Sequence, residues 1–224
     1  MTVLRARDAY PLWAPCYEAE TAVSFLEDQL VEVLTPTVAG RRLVDVGCGT
    51  GRRLRGADAS LALGVDLTLE MLAGAAGAGT AHFLAGDIAA LPLATASFDI
   101  VWCRLVIGHL PEASVAYAEL ARLCSPGGTV IVTDFHPAAV AAGHRRTFRD
   151  GAGHLHEIEH HIHPPDRQIA LAGAVGLEPL GRCEGRVGPE IQSFYERSGR
   201  MEAYAEQEGL RLVLALSFGR QGGP

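Results

Sequence analysis

The stretch LVDVGCGTGR, residues 43–52, decides the fold of this 224-residue chain. An apolar run ends at Asp45 and Val46 and enters a loop with glycine at positions 47, 49 and 51. Glycine lets the backbone turn sharply and lets a ligand approach without a Cβ clash. Such a loop follows the carboxyl end of a strand, where open α/β sheets bind their ligands. The stretch therefore predicts an α/β fold with a ligand site at this loop.

The glycine spacing differs from that of dinucleotide-binding enzymes. Their fingerprint is G-x-G-x-x-G, but here the sixth position is Arg52 when counted from Gly47 and Leu54 when counted from Gly49. A glycine-rich turn without a ligand is the other interpretation, because a glycine motif alone is weak evidence. Residues outside the loop have to decide between the two.

Two acidic residues after later strands favour a binding site. Asp66 ends the apolar run LALGVD, 21 residues after Asp45. A carboxylate at that place can accept hydrogen bonds from both hydroxyls of a ribose. Asp87 can accept one from an adenine amino group while Ile88 packs on the ring. Each acid alone also fits a helix N-terminus or a solvated loop, but three matches in this order predict a ligand that contains a nucleoside.

Strand-like and helix-like segments alternate along the chain, which is typical of a parallel sheet with crossover helices. The predicted strands are 42–46, 61–66, 81–84, 98–103, 129–134, 177–187 and 210–218, and the predicted helices are 18–34, 67–76, 112–123, 166–176 and 189–208. The connection between Gly51 and Asp66 is short, and Arg53 and Arg55 stand where an apolar helix face is usual. We therefore expect a stunted first crossover helix.

The segment 137–165 departs from this alternation. It holds six of the nine histidines, and its sequence predicts two strands around a Gly-rich turn. We interpret it as a His-rich cap inserted after the fifth strand. A metal site in this segment is the alternative, but no acid or cysteine completes a ligand set there, so a polar cap surface is favoured. No strong boundary interrupts residues 1–224, which we expect to form a single domain.

Composition narrows the function further. The formal charge is −7, and all nineteen basic residues are arginines without a large cluster, which argues against a nucleic-acid partner. No apolar run reaches the ~20 residues of a membrane helix, and the N-terminus lacks the apolar block of a signal peptide. We therefore expect no membrane partner and a cytoplasmic location. Five single cysteines without a C-x-x-C pair argue against a disulfide framework and a zinc knuckle.

Five segments together resemble one enzyme family. They are LVDVGCGTG, GVDLTLEML, GDIAALPLATASFDIVWC, VIGHL and LARLCSPGGTVIVTDF, which fall within residues 40–135, and 210–218 matches the usual final strand. The chain resembles the small-molecule branch of the class I S-adenosylmethionine-dependent methyltransferases. The resemblance implies a Rossmann-like methyltransferase fold, with a mostly parallel seven-stranded sheet, an antiparallel last strand and helices on both faces. It also implies S-adenosylmethionine as cofactor and methyl transfer to O, N or C of a small-molecule acceptor.

The resemblance also implies roles for individual residues. The methionine part of the cofactor would be surrounded by Asp45, Gly47 and Gly49, with Arg104 lining its end; Asp66 would hold the ribose with Leu67 beside the adenine; and Asp87 and Ile88 would frame the adenine. Arg104 would pair with the cofactor carboxylate or an acidic substrate, or else be an exposed loop residue.

The N-terminal region, residues 1–38, is expected to be a helical lid. Its segment APCYEAE resembles the A-x-x-Y-D segment that closes over the cofactor in this family, although Glu18 replaces the aspartate. Tyr17 is therefore expected at the cofactor, with Tyr10 and Trp13 as weaker candidates.

Methyl transfer from a sulfonium is an in-line displacement, in which the enzyme mainly aligns the reactants and excludes water. A base is required only when the acceptor keeps a proton. His109, in VIGHL, and His136, after the fifth strand, are the candidate catalytic bases, with Asp134 nearby, because histidine titrates in the useful pH range. The alternative function is a catalytically inactive cofactor-binding partner or regulatory protein.

Overall fold

A seven-stranded sheet forms the centre of the molecule in a computed structural model that describes residues 2–75 and 79–222. Its strand order is β4-β3-β2-β5-β6-β10-β9. The strands are β2 (Arg42–Val46), β3 (Leu61–Asp66), β4 (His82–Ala85), β5 (Phe98–Arg104), β6 (Cys124–Phe135), β9 (Leu177–Arg186) and β10 (Arg211–Arg220). β10 is antiparallel to both of its neighbours, whereas β2 to β6 pair in parallel. This confirms the predicted α/β fold with an antiparallel last strand.

Helices cover both faces of the sheet. They are α1 (Ala6–Trp13), α2 (Ala22–Leu34), α3 (Leu69–Ala73), α4 (Ser114–Leu123), α5 (Pro137–Ala141), α6 (Pro165–Ala174), α7 (Gln192–Arg197) and α8 (Met201–Gln207). Along β2, Val44 packs into a core with Leu120 of α4, whereas Leu43 packs into a core with Val31 of α2. Successive side chains of a strand point to opposite faces, so each strand supplies both layers.

Helix ends differ from the predicted bounds for local reasons. α2 begins at residue 22, not 18, because Thr21 caps it: the Thr21 side chain accepts a hydrogen bond from Ser24 N at 3.1 Å. The predicted helix 189–208 is interrupted, since Gly199 between α7 and α8 has a φ of +66°. The end of the predicted helix 67–76 lies outside the described residues.

The first crossover is stunted, as the short segment after Gly51 predicts. A single 3₁₀ turn, Arg52–Leu54, lies where a full helix usually connects the first two parallel strands. The glycine loop is therefore followed by a 3₁₀ turn and not by the N-terminus of a full α-helix. Polar contacts to the ligand from this side have to come from the loop and from arginine side chains.

A second, three-stranded sheet lies beside the main sheet. β7 (Thr147–Arg149) and β8 (Leu155–Ile158) form the antiparallel pair predicted within 137–165, and β1 (Thr2–Leu4) adds to β8 in parallel. The N-terminal region is thus not purely helical. The β1–β8 pairing and the stacking of Trp13 on Phe148, with ring centroids 5.1 Å apart, join that region to the 137–165 segment.

In the described part of the chain, no helix combines the length and apolar character that crossing a membrane requires.

Candidate cofactor and acceptor site

The glycine loop has the backbone geometry that its sequence predicts. Gly47, Gly49 and Gly51 have φ values of +79°, +57° and +66°, a region that strains other residues. A Cβ at Gly47 would overlap Cγ2 of Val106, and one at Gly51 would overlap the ring of Phe83. Two of these positions therefore need glycine for space as well as for conformation.

Asp66 connects the loop to the end of β3. Its Oδ2 accepts a hydrogen bond from Gly49 N at 2.8 Å, and its Oδ1 accepts one from Thr68 N at 2.8 Å. Burial raises the pKa of Asp66, while these backbone donors oppose the shift. Each carboxylate oxygen can accept a further hydrogen bond. Asp66 lines the central cavity, so both oxygens lie at a place where a diol can reach them.

Three more predicted residues line the same part of the cavity. Leu67, Asp87 and Ile88 follow the ends of β3 and β4, and Leu67 is half exposed. Asp87 Oδ1 accepts from Ala89 N at 2.9 Å, which fixes the short turn after β4. An exposed carboxylate and two aliphatic side chains therefore line a part of the cavity that suits a flat ring with polar edges.

Asp45 lies behind the loop and does not line the cavity. Its side chain is fully buried, and neither oxygen has a hydrogen-bond partner within residues 2–75 and 79–222. Burial raises the pKa of Asp45 to about 6, although Arg104 and Arg53 pull it in the opposite direction. The expectation that Asp45 surrounds the methionine part directly therefore needs revision, because Asp45 does not line the cavity that Gly47 and Gly49 line.

Arg104 lines the cavity, but α2 holds its guanidinium. Its Nε and Nη2 donate to the Glu27 carboxylate at 2.8 and 2.7 Å, and Nη2 also contacts Asp28. Arg53 Nη2 and Thr133 Oγ1 donate to Glu27 at 2.9 and 2.8 Å. Burial disfavours the charged form of Glu27, but the two arginines outweigh it and lower its pKa to about 2. The expectation of an Arg104 free for the cofactor carboxylate is thus corrected.

Glu27 and Arg53 were not identified from the sequence. Glu27 lies in α2 between the apolar residues Leu26 and Leu30 and is fully buried. A charged residue on the buried face of an amphipathic helix is the one signal that points to it, since such a charge requires a partner.

The loop also has polar atoms that lack a partner. Arg52 Nε and Thr50 Oγ1 are buried without a hydrogen bond to the described part of the chain, as is the Asp45 carboxylate just behind them. The amino-acid end of S-adenosylmethionine carries a carboxylate and an ammonium group. Arg52 can donate a hydrogen bond to the carboxylate, and the buried Asp45 carboxylate attracts the ammonium group. The residues present therefore suit this cofactor.

Aromatic side chains from the N-terminal region close over the loop. The Tyr17 ring lies close to Gly49: a Cβ on Gly49 would be 3.3 Å from Cε1 of Tyr17. Trp13 and Tyr17 are edge-to-face at 4.9 Å, and Tyr10 stacks on Trp13 at 5.7 Å. All three line the cavity. The weaker candidates Tyr10 and Trp13 therefore lie in the same place as Tyr17.

His109 lies where the cavity passes β5. Its Nε2 is 2.8 Å from the Tyr10 hydroxyl and also contacts Arg146 Nη1. Burial, reinforced by the Arg146 charge, holds the pKa of His109 well below 6.5. The imidazole is therefore neutral near pH 7, and its Nε2 lone pair is an acceptor for two neighbouring donors.

His136 does not face the cavity, which corrects the expectation that it is a base. It is 4% exposed and is the N-cap of α5, where its Nδ1 accepts from Ala138 N at 3.0 Å. Its Nε2 faces Glu184 of β9 at 3.5 Å. Pro137 starts a helix directly after the strand, and the imidazole folds back to cap it.

The cavity continues beyond β6 to an end formed by other elements. Its volume is about 790 Å³, and its far end is lined by Phe135, His144, Arg145, Arg146, Phe194, Arg200 and Leu212. β3 and β6 are three strand spacings apart, or roughly 14 Å. The far end is therefore a distant part of the same cavity, with apolar surface and arginine side chains.

Gly108 is the place where the 137–165 segment meets the main sheet. Its carbonyl oxygen accepts from His161 N at 2.8 Å. A Cβ at Gly108 would overlap the His160 ring and would lie 2.7 Å from Asp134 Oδ1. The absence of a side chain thus permits this close approach.

The histidines of 137–165 show no grouping for a metal. Within residues 2–75 and 79–222, no set of three histidine, cysteine, aspartate or glutamate side chains is placed to bind an ion. His156 instead pairs with Asp150, with Nε2 and Oδ2 2.9 Å apart.

Comparisons with known proteins agree with this geometry. A methyltransferase domain family matches residues 44–132. The chain is 32% identical over 217 residues to a malonyl-[acyl-carrier protein] O-methyltransferase of Dechloromonas aromatica, covering 94% of this chain and 80% of that protein. It is 29% identical to the 27-O-demethylrifamycin SV methyltransferase of Amycolatopsis mediterranei, over 86% of this chain and 71% of that protein. Several other curated relatives are matched over only 38% to 55% of their length.

A solved structure shares the fold. The crystal structure of an S-adenosylmethionine-dependent methyltransferase from Mesorhizobium loti superposes with a TM-score of 0.68 at 24% identity, covering 87% of this chain and 98% of that one. The glycine loop, the acids after β3 and β4 and the near full-length relative lead to one conclusion: the chain belongs to the class I S-adenosylmethionine-dependent methyltransferases.

Proposed function

We propose that this methyltransferase transfers the methyl group of S-adenosylmethionine to an oxygen of a small organic acceptor. The observation that carries the proposal is the continuous cavity from the glycine loop to the far end beyond β6. At about 790 Å³ it lies in the upper part of the roughly 300–1,000 Å³ range of small-molecule sites, which suits two ligands side by side.

The relatives support oxygen as the acceptor atom. The names of the Dechloromonas and Amycolatopsis proteins describe O-methylation, of a malonyl carrier-protein conjugate and of a rifamycin precursor, and a Methylococcus capsulatus relative is a ubiquinone biosynthesis O-methyltransferase. These acceptors differ widely, so the shared reaction is carried over to this chain and the individual acceptors are not.

The residue roles follow from position in the cavity. Asp66 holds the ribose, whereas Leu67, Asp87 and Ile88 hold the adenine. Gly47 and Gly49 give the methionine part access to the loop, with Arg52 as donor to its carboxylate. When bound, the cofactor supplies an electrophilic methyl group. The protein aligns the acceptor oxygen with that group and keeps water away from it.

Two segments exclude water in this proposal. Residues 1–38 form a lid that places Tyr10, Trp13 and Tyr17 over the cofactor, and residues 137–165 form a cap over the acceptor. Both belong to one methyltransferase domain. Because β1 pairs with β8, lid and cap share a sheet and are expected to close together.

Turnover and binding test the proposal. Calorimetry is expected to show binding of S-adenosylmethionine and no binding of NAD. Incubation with labelled cofactor and a set of metabolite fractions should yield S-adenosylhomocysteine together with a product heavier by one methyl group. Binding of NAD in place of the sulfonium would overturn the cofactor assignment. Cofactor binding without turnover on any fraction would favour an inactive binding protein.

A further inference from the structure

The acceptor end of the cavity has an excess of positive charge. This end is lined by Arg145, Arg146 and Arg200. Among the described residues, one acidic side chain, that of Glu159, lines the same end. Arg145 has a partial partner in Glu157, with Nε and Oε1 3.6 Å apart. Arg200 makes no ion pair with residues 2–75 or 79–222. An acceptor that carries a negative charge is attracted to such a lining.

Arg146 is the buried member of this group. Its side chain is 10% exposed, and its Nη1 donates to Leu105 O at 2.9 Å beside the contact with His109. Its Nη2 is buried and has no hydrogen-bond partner among the described residues. A buried guanidinium N–H without an acceptor is costly, so a ligand oxygen at this position is strongly favoured.

The nearest protein carboxylate does not fill that role. Asp134 Oδ1 lies 3.9 Å from Arg146 Nη2, too far for a hydrogen bond, and already accepts from Phe135 N at 2.8 Å. Burial raises the pKa of Asp134 to about 7, although Arg146 opposes this shift, so Asp134 is only partly ionised near neutral pH. Arg146 therefore keeps positive charge beside the cavity that Asp134 does not fully compensate.

His109 is not a free base at this point. The Nε2 of His109 is engaged by Tyr10 and Arg146, and burial makes the imidazole a weak base. An acceptor that arrives without a proton needs no base. The positive charge of the lining and the engaged state of His109 thus both favour an acceptor that is negatively charged and carries no proton.

We propose that the acceptor is a carboxylate on an apolar or aromatic body, and that Arg146 binds this carboxylate next to the methyl donor. The inference rests on the proposed function and specifies its acceptor. One carboxylate oxygen forms a bond to the methyl carbon while the carbon–sulfur bond breaks. The electron pair of that bond goes to sulfur, giving S-adenosylhomocysteine and a methyl ester, and no proton is transferred. Phe135, Phe194 and Leu212 contact the body of the acceptor.

Binding of simple probes tests this assignment. Calorimetry on protein loaded with S-adenosylhomocysteine compares octanoate and 3-phenylpropanoate with 1-octanol and octyl phosphate. At least one carboxylate is expected to bind about tenfold or more tightly than both other probes. 1-Octanol lacks the charge that strengthens a hydrogen bond from a guanidinium, and octyl phosphate brings close to two negative charges to a single buried guanidinium. Tighter binding of 1-octanol, tighter binding of octyl phosphate, or no binding of either carboxylate would overturn the proposal.

Variants locate the effect. Arg146→Gln is expected to weaken carboxylate binding about 10- to 100-fold, the loss that follows from removing hydrogen bonds to a charged group, and to leave affinity for S-adenosylhomocysteine unchanged. Arg149→Gln is the matched control, since Arg149 is exposed in β7, the short strand that begins directly after Arg146, and does not line the cavity. Equal carboxylate affinity in Arg146→Gln and in the control would contradict the assignment.

A second variant covers the case in which Arg146→Gln fails to fold. Arg200→Gln changes an exposed arginine at the far end of the cavity and should weaken carboxylate binding by a few-fold, a loss that added salt abolishes. An unchanged affinity would overturn the proposed charge attraction. The product gives an independent readout, because a methyl ester is hydrolysed by mild alkali and a methyl ether is not. Loss of S-adenosylhomocysteine binding by the wild type would instead refute the proposed function, so the two failures are distinguishable.

Discussion

The Tyr10 hydroxyl oxygen lies 2.8 Å from Nε2 of His109, although 99 positions separate the two residues in the chain. This contact joins α1 to the loop after β5 at the middle of the cavity. Nε2 of His109 is the acceptor, because Arg146 Nη1 contacts the same nitrogen and can only donate. The histidine thereby positions a lid residue and a binding arginine.

His109→Ala is expected to lower the turnover number by no more than a few-fold and to raise the Michaelis constant. The reason is that the variant loses a positioning acceptor and not a proton carrier. A pH–rate profile with a carboxylate acceptor should show no histidine titration between pH 6 and 7 in wild type or variant. His136→Ala is the control; it loses a helix cap worth about 1 kcal/mol of stability but should keep its kinetics. A 10²- to 10⁴-fold loss of turnover in His109→Ala, the usual effect of a general base, would restore the catalytic role.

Asp66→Ala should weaken binding of S-adenosylhomocysteine by about 1.5–3 kcal/mol, since charge-assisted hydrogen bonds are lost. Loss of the bond to Gly49 N adds to the effect, because the loop is then less fixed. Calorimetry measures the change, and Asp58→Ala, an exposed aspartate of the preceding connection, is the control. An unchanged dissociation constant would mean that the ribose binds elsewhere.

Gly47→Ala should destabilise the fold more than Gly56→Ala. Both glycines have similar left-handed φ values, +79° and +75°, so both variants bear about 1–2 kcal/mol of backbone strain. The added Cβ overlaps Val106 only at position 47, while position 56 is open. The difference of about 1–3 kcal/mol expected from overpacking is measured by urea unfolding. Equal losses would show that Val106 moves aside freely.

Asp134→Asn should stabilise the protein at pH 8 and have little effect at pH 4. The folded-state pKa of about 7 lies above the unfolded value, so the folded protein holds an extra proton between these values and loses stability as pH rises through them. The asparagine variant does not undergo this loss. Its free energy of unfolding at pH 8 should therefore exceed that of the wild type by on the order of 1–3 kcal/mol.

Thermal melts from pH 4 to 8 measure this difference. Asp150→Asn is the control with the opposite sign, because hydrogen bonds from His156 and His154 lower the pKa of Asp150. That variant should lose stability above the ordinary pKa of aspartate and approach the wild type at lower pH. A wild-type melting temperature that matches Asp134→Asn at every pH would contradict the uncompensated burial of Asp134.

Much of the sheet could be predicted because its strands are short apolar runs bounded by turn residues. The predicted bounds of β2 and β3 match the structure, and the cofactor-side residues Gly49, Asp66 and Asp87 line the cavity because strand ends place them there. Long-range pairing has no such pattern. Nothing in the three residues of β1 indicates that they add to β8.

The acceptor side was predicted less well for a physical reason. Arg146 reaches the cavity, and Glu27 reaches Arg104, from elements distant in sequence, and the roles of both depend on burial and on partners. His136 is adjacent to the correct strand, yet its side chain caps the helix that begins at Pro137. The position of these residues in the sequence indicates which elements they adjoin, but it does not indicate where their side chains point.

Gly108 has a consequence for engineering acceptor specificity. His160 and His161 lie against this glycine, which belongs to the loop after β5 and not to the 137–165 segment. A chimera that grafts residues 137–165 onto another methyltransferase would meet a side chain at the equivalent position unless that protein also has glycine there. The unit that can be transferred is therefore discontinuous in sequence. Glycine at position 108 has to be transferred together with residues 137–165, because otherwise the grafted segment cannot pack closely against the sheet of the recipient protein.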